Sequence, residues 1–161
     1  MPVPILLEDA VEEILDAMVS VLEAATESES SPPAVDLSEV ATVVRGDRAR
    51  PQPRNPSLWV FPGLAVADHT THGLAEAWTM PVTLAALVSS DDPEQGARDC
   101  VRLAARARRC VLRDRDLALA YVQDVVSTRL DPGARTSERN RNLHWADAIV
   151  TVRFKIWEAS A

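Results

Sequence analysis

The run Asp68-His69-Thr70-Thr71-His72 is the one place in the chain where metal-type ligands cluster. A neutral imidazole binds zinc, but a zinc site needs three or four ligands in fixed geometry, and local sequence supplies no others. A solvated loop is therefore expected here, with no metal. His144, the third histidine, falls near the start of a β-type run, and no nucleophile can be tied to it; it reads as a strand-end residue rather than a general base. Cys100 and Cys110 lie ten apart in one expected helix, about 15 Å along its axis, beyond disulfide reach and without metal-site spacing. They read as free thiols, small buried residues in a reducing compartment. The sequence has no G-x-S-x-G, no phosphate-binding loop and no dinucleotide fingerprint, so neither catalysis nor a cofactor is expected. Arg45-Gly46-Asp47 spells a cell-adhesion tripeptide, a match short enough to arise by chance.

Charge is the more informative chemistry. Arg98, Arg102, Arg106, Arg109 and Arg113 recur at three- to four-residue spacing and predict a basic ridge along one helix. With Arg135, Arg139 and Arg141 they could neutralise phosphates. The net charge of −7 and the lack of aromatics between these arginines favour a solvated or intersubunit face instead. Residues 1–40 hold ten of the 24 acids and no Lys or Arg; the other 121 residues carry the remaining 14 acids against all 17 bases, a net of +3. Opposed halves of this kind satisfy each other within a fold or between identical subunits packed head to tail. The expected intersubunit contact sets Glu8, Glu12, Glu13 and Asp16 against Arg98, Arg102, Arg106 and Arg109.

The elements that position these charges follow from apolar spacing. Leu7, Val11, Ile14, Leu15, Met18 and Leu22 predict a helix over 7–25, with acids crowding the end its dipole favours. Residues 26–38 read as a polar, Pro-bearing, mobile linker. Strands are expected at 39–45 and 58–61, separated by an exposed loop at 46–57 that holds three prolines; 63–73 reads as a further loop. From Glu76 to Ser89 the alternation is clean, with Trp78, Met80, Val82, Leu84, Ala86 and Val88 on one face, while Pro81 argues for an edge or bulge on its side. Asp91 and Asp92 followed by Pro93 and Glu94 start a second helix running to about Leu112, with a small-residue face of Ala97, Cys100, Val101, Ala104, Ala107 and Val111. Residues 117–122 are ambiguous, read as a short helical turn leading into a strand at about 124–130. A polar loop at 134–142 precedes a closing strand, Leu143–Trp157, in which Val150, Val152, Phe154 and Ile156 oppose Ile149, Thr151, Arg153, Lys155 and Trp157.

A length of 161 residues, 47% hydrophobic and 25% charged, fits one globular core. The expected fold class is α+β, a mostly antiparallel sheet packed against two main helices in a single domain over 1–161. Residues 39–161 should supply the sheet, the central helix and the terminal strand pair. No apolar run approaches the roughly 18 residues a bilayer requires, and residues 1–8 lack a basic segment followed by an apolar one, so neither a membrane span nor export is expected.

The acidic opening helix LLEDAVEEILDAMVSVLEA, the LWVFPG strand and the passage AWTMPVTLAALVSSDDPEQGARDCVRLAARA together resemble the tail terminator, or tail completion, proteins of long-tailed DNA bacteriophages. The strand pair DVVSTRLDP and LHWADAIVTVRFKIWE completes the likeness, which covers nearly the whole chain as architecture and not as a motif. The resemblance implies a non-enzymatic virion protein of the tail or neck, assembled in the host cytoplasm. Its subunits would close into a ring, commonly a hexamer, that caps the tail tube protein and joins the head-tail connector or stopper. Genomic DNA would pass through the lumen without sequence recognition. The loop at 46–57 and the segment 114–123 map onto no pattern of that family. A head-closure or adaptor protein of the same neck is the alternative within the class, and a small cytosolic nucleic-acid-binding protein the alternative outside it.

Overall fold

The computed structural model describes residues 3–27, 35–47, 54–68 and 75–157. Among these residues, two helices, α1 (Leu7–Glu27) and α2 (Pro93–Arg113), accompany eight strands: β1 (Val3–Pro4), β2 (Thr42–Arg45), β3 (Ser57–Pro62), β4 (Val66–Ala67), β5 (Glu76–Ser89), β6 (Val122–Leu130), β7 (Arg135–Thr136) and β8 (Leu143–Trp157). The sheet runs β1-β8-β5-β3-β2, with β4 also on β5 and β6 and β7 also on β8. Only the β1–β8 and β2–β3 pairs are parallel. The class is α+β, as the alternation and the two helical periods predict.

The centre of the sheet is the antiparallel pair β5 and β8, in register from Glu76↔Ile156 to Ser89↔Leu143. Side chains alternate across a strand, so every second residue faces the helices. Met80, Val82, Leu84, Ala86 and Val88 of β5 and Ala146, Val150, Val152, Phe154 and Ile156 of β8 join the buried residues of both helices in one core. That shared core puts α1 and α2 on the same sheet face. Among the described residues no helix covers the other face, where Trp59 and Phe61 stack with ring centroids 6.0 Å apart.

The two helices reach the sheet by different packing. The α1 stripe buries Ile14, Leu15, Met18 and Leu22, each such burial contributing about 1.5–3 kcal/mol. The α2 stripe buries Gly96, Cys100, Ala104 and Ala107 beside Leu103 and Val111, which lets its backbone lie close to β8. A Cβ at Gly96 would stand 2.3 Å from His144 Cδ2, so the first turn of α2 holds the one residue type that permits this approach. Its start is fixed by Asp92, whose Oδ1 accepts from the N–H groups of Glu94 (3.0 Å) and Gln95 (3.2 Å), with Pro93 at the first position.

Several expectations are revised. Proline in β5 pointed to an edge or bulge, yet β5 lies inside the sheet between β3 and β8. The Pro81 carbonyl accepts from Gly63 N at 2.7 Å, and a strand residue turns its N and C=O to the same side. The missing N–H therefore faces Gly63, where the β3 ladder ends and that of β4 has not begun; Gly63 fits there because a Cβ would stand 2.7 Å from Pro81. The strand expected at 39–45 shortens to Thr42–Arg45, since Val40 N closes a turn onto Leu37 O at 2.9 Å. Two-residue strands, β4 and β7, occur within stretches read as loops, and β1 precedes the first helix. Of the expected linker, Thr26 and Glu27 end α1, residues 28–34 lie outside the described residues, and Val35 and Leu37 are core residues. Residues 48–53 of the Pro-bearing loop are likewise outside. The ambiguous stretch before β6 is a turn in which Leu117 and Ala118 both adopt positive φ (53° and 56°). Ala118 N donates to Asp116 Oδ1 at 2.9 Å and Leu117 is buried, which together offset the steric cost of the left-handed backbone.

Candidate functional site

The outer surface of the helical layer carries the charge. On α1 the exposed residues include Glu8, Asp9, Glu12, Glu13 and Asp16; on α2 they include Arg98, Arg102, Arg109 and Arg113. An acidic helix thus lies beside a basic one on a single face of the molecule.

Part of the acidic side is satisfied internally. Arg45, at the end of β2, is 3% exposed and reaches Glu12 Oε2 at 2.7 Å, Asp16 Oδ1 at 3.0 Å and Asp47 Oδ2 at 2.5 Å. Its second bond to Glu12, Nη2 to Oε1 at 3.2 Å, makes that pair two-pronged. The hydrogen bonds that the guanidinium donates to Glu12, then those to Asp47 and Asp16, raise its pKa against the opposing effect of burial. Arg45 therefore ties α1 to the sheet edge as a fixed cation, and its burial removes the Arg45-Gly46-Asp47 tripeptide from adhesion chemistry. Glu13 accepts from the Tyr121 hydroxyl at 2.7 Å. Burial first, and the Glu13 carboxylate second, push the Tyr121 phenol well above its ordinary pKa.

On the basic side, Arg106 turns away from the ridge and pairs with Glu39 at 2.8 Å, and Arg98 pairs with Glu94 one turn earlier on α2. The side chains of Arg102 and Arg109 have no ion pair or hydrogen bond among the described residues. Within the chain the acids of α1 and the arginines of α2 do not meet each other. Glu8, Arg102 and Arg109 face outward without such partners, while Glu12, Glu13, Asp16, Arg98 and Arg106 each have one. The Glu94–Arg98 pair has the i, i+4 spacing of a local helical ion pair. Apart from the Arg45–Asp47 contact two residues apart, Arg45 and Tyr121 meet their carboxylates across 29 or more residues, and no local pattern announces those pairs.

His144 is fully buried with both ring nitrogens engaged. Nε2 lies 3.3 Å from Ser90 O, which can only accept, so Nε2 donates; Nδ1, 3.0 Å from Thr136 Oγ1, then accepts from the hydroxyl. It joins β7, β8 and the start of α2 as a structural residue. Cys100 and Cys110 are free and buried, and burial raises both thiol pKa values, the inert condition. His69 and His72 lie outside the described residues, among which no group of three or more metal-type ligands forms. No helix among them is long and apolar enough to cross a membrane.

No family model matches the chain, and no curated protein does. Among solved structures, the fold is similar to that of a chain in the virion of a native gene transfer agent particle, with a TM-score of 0.51. The likeness covers 87% of this chain and 96% of that one at 13% identity, and at that identity it is a likeness of fold.

Proposed function

We propose that this chain is a structural subunit of a phage-like virion, a tail terminator whose copies close into a ring, commonly of about six, between tail tube and head connector. The observation that carries the reading is the segregated charge of the helical layer. One flank offers exposed carboxylates and the other exposed guanidiniums, and Glu8, Arg102 and Arg109 are unmatched among the described residues. A surface acidic on one side and basic on the other suits repeated head-to-tail contact between identical subunits. The solved neighbour belongs to a virion particle and shares the fold over most of both chains, which supports a virion role and location for this one. As such a subunit the chain would be non-enzymatic and would let DNA pass by charge alone.

The test is co-sedimentation with assembled tail tubes and, separately, with connector-bearing heads. Saturable binding to tube ends, at one ring per end, is expected of a terminator. Binding to heads alone would replace it with the head-closure or adaptor reading. The exposed arginines of α2 favour one reading outside the class, a nucleic-acid-binding protein. Affinity for DNA that falls steeply with salt, without binding to tubes or heads, would select it.

A further inference from the structure

A groove of about 350 Å³ runs between the first half of α2 and the segment after β6. Ala97 and Val101, one helical turn apart, form its floor with Pro132 and Ala134, and Arg98 and Arg102 form its rim. Its walls are apolar and its edge cationic. Arg98 is already held by Glu94, whereas the Arg102 side chain has no ion pair among the described residues. A phosphodiester would use the guanidiniums and leave the apolar floor wet; an aliphatic side chain followed by carboxylates would use both.

The chain carries such a segment at its other end. Leu6 is 43% exposed and Trp157 is 39% exposed, two of the few large apolar side chains left in solvent. Their backbones are brought together at one end of the sheet, because Ile5, next to Leu6, donates its N–H to Trp157 O at 3.2 Å. Glu8 and Asp9 follow within the first turn of α1, both exposed. This is an apolar knob rimmed by acids, the complement of an apolar socket rimmed by arginines. Strand β8 measures the distance between them. Asp147, whose carbonyl accepts from Asp131 N beside the groove at 3.0 Å, is ten residues from Trp157, about 33 Å of extended strand. A chain cannot seat its own knob in its own socket, and two unlike patches at opposite ends define a heterologous contact.

The geometry points to a second copy of this chain as the occupant: Leu6 of one subunit enters the groove over Ala97 and Val101 of the next, and Glu8 and Asp9 meet Arg102. This rests on the ring reading and names the contact that would build the ring.

The test is a pair of substitutions, Leu6→Cys with Val101→Cys, in the full chain under a mild thiol oxidant, read by non-reducing electrophoresis. The expected result is a ladder of covalent multimers ending at the ring size, with each single substitution giving dimers at most. An unsubstituted chain that assembles, beside a double variant of the same native mass that gives no ladder, overturns this contact and leaves the ring reading standing. An unsubstituted chain that never assembles removes both. Should the double variant itself not assemble, Leu6→Asp at this exposed position decides: unchanged assembly overturns the contact, and a tenfold or greater weakening supports it.

Discussion

The two helices have the same length, 21 residues each, and pack on the same sheet face, yet they use their side chains in opposite ways. Helix α1 buries large aliphatic residues and has much of its charge committed inside the chain, to Arg45 and Tyr121. Helix α2 buries glycine, alanines and cysteines, lies close over β8, and holds Arg102 and Arg109 out in solvent. A charge that is bonded across the fold serves stability, and one that is left in water is available to another molecule. By that division, the acids at the centre of α1 hold this subunit together, while the arginines of α2 and the acids at the start of α1 would meet a neighbour in the proposed ring.

The packing half of the contrast yields the largest effects. Leu22→Ala removes a fully buried side chain from α1 and is expected to cost about 2–5 kcal/mol in chemical denaturation. On α2 the sensitivity is to enlargement: Gly96→Ala should lose about 1–3 kcal/mol to the overlap with His144, although alanine in an open helix would gain about 1. A stabilised Gly96→Ala variant would show that α2 does not lie that close.

The charge half is sharpened by Arg45→Met. Removing the buried guanidinium leaves Glu12, Asp16 and Asp47 to repel one another, with an expected loss of about 2–3 kcal/mol, reduced because Glu12 and Asp16 are half exposed. An Arg45→Met chain as stable as the parent would mean that the α1 acids are held in place by packing alone.

Tyr121→Phe should cost about 1 kcal/mol at neutral pH, as expected for one hydrogen bond to a carboxylate beside water. The folded-state phenol pKa is raised, so the contribution is fully present below the unfolded value of about 10 and is lost as pH rises through the folded value. Alkaline destabilisation should therefore be steeper in the parent than in Tyr121→Phe. Tyr121 is the only tyrosine, so its ultraviolet absorbance reports the titration directly and should show the phenolate forming only as the fold is lost.

The smallest stability effect is expected where the assembly effect is greatest. Arg102→Glu with Arg109→Glu should leave the unfolding free energy within about 0.5 kcal/mol, since both residues are exposed and without ion partners among those described. The same variant should lose most of its oligomer by light scattering behind a sizing column.

How much of this was legible beforehand follows the range of each interaction. The alternation of β5 and β8 set both bounds of those strands, and the Asp92-Pro93 start marked α2 to within two residues, because period and capping are local. Two-residue strands such as β4 and β7 carry too few side chains to show a period. The left-handed pair Leu117 and Ala118 has no glycine to signal it, which is why that stretch read ambiguously. In the charged layer, the acidic and basic helices were visible as runs. Which charges are spent inside the chain was not, since Arg45 lies 29 and 33 residues from the two α1 acids it binds. The groove at Ala97 and Val101 was half visible, as a small-residue face; its other wall, Pro132 and Ala134, arrives by tertiary folding.

In the proposed assembly, unmatched charge at the two flanks of the helical layer joins copies of this chain head to tail into a closed ring. The most direct measurement is the native mass of the purified protein over a wide range of concentration and salt. A closed oligomer of about six subunits that gives way to monomer as salt screens the contact is the predicted result. A monomer at every concentration and salt, or a symmetric dimer that grows no further, would contradict it.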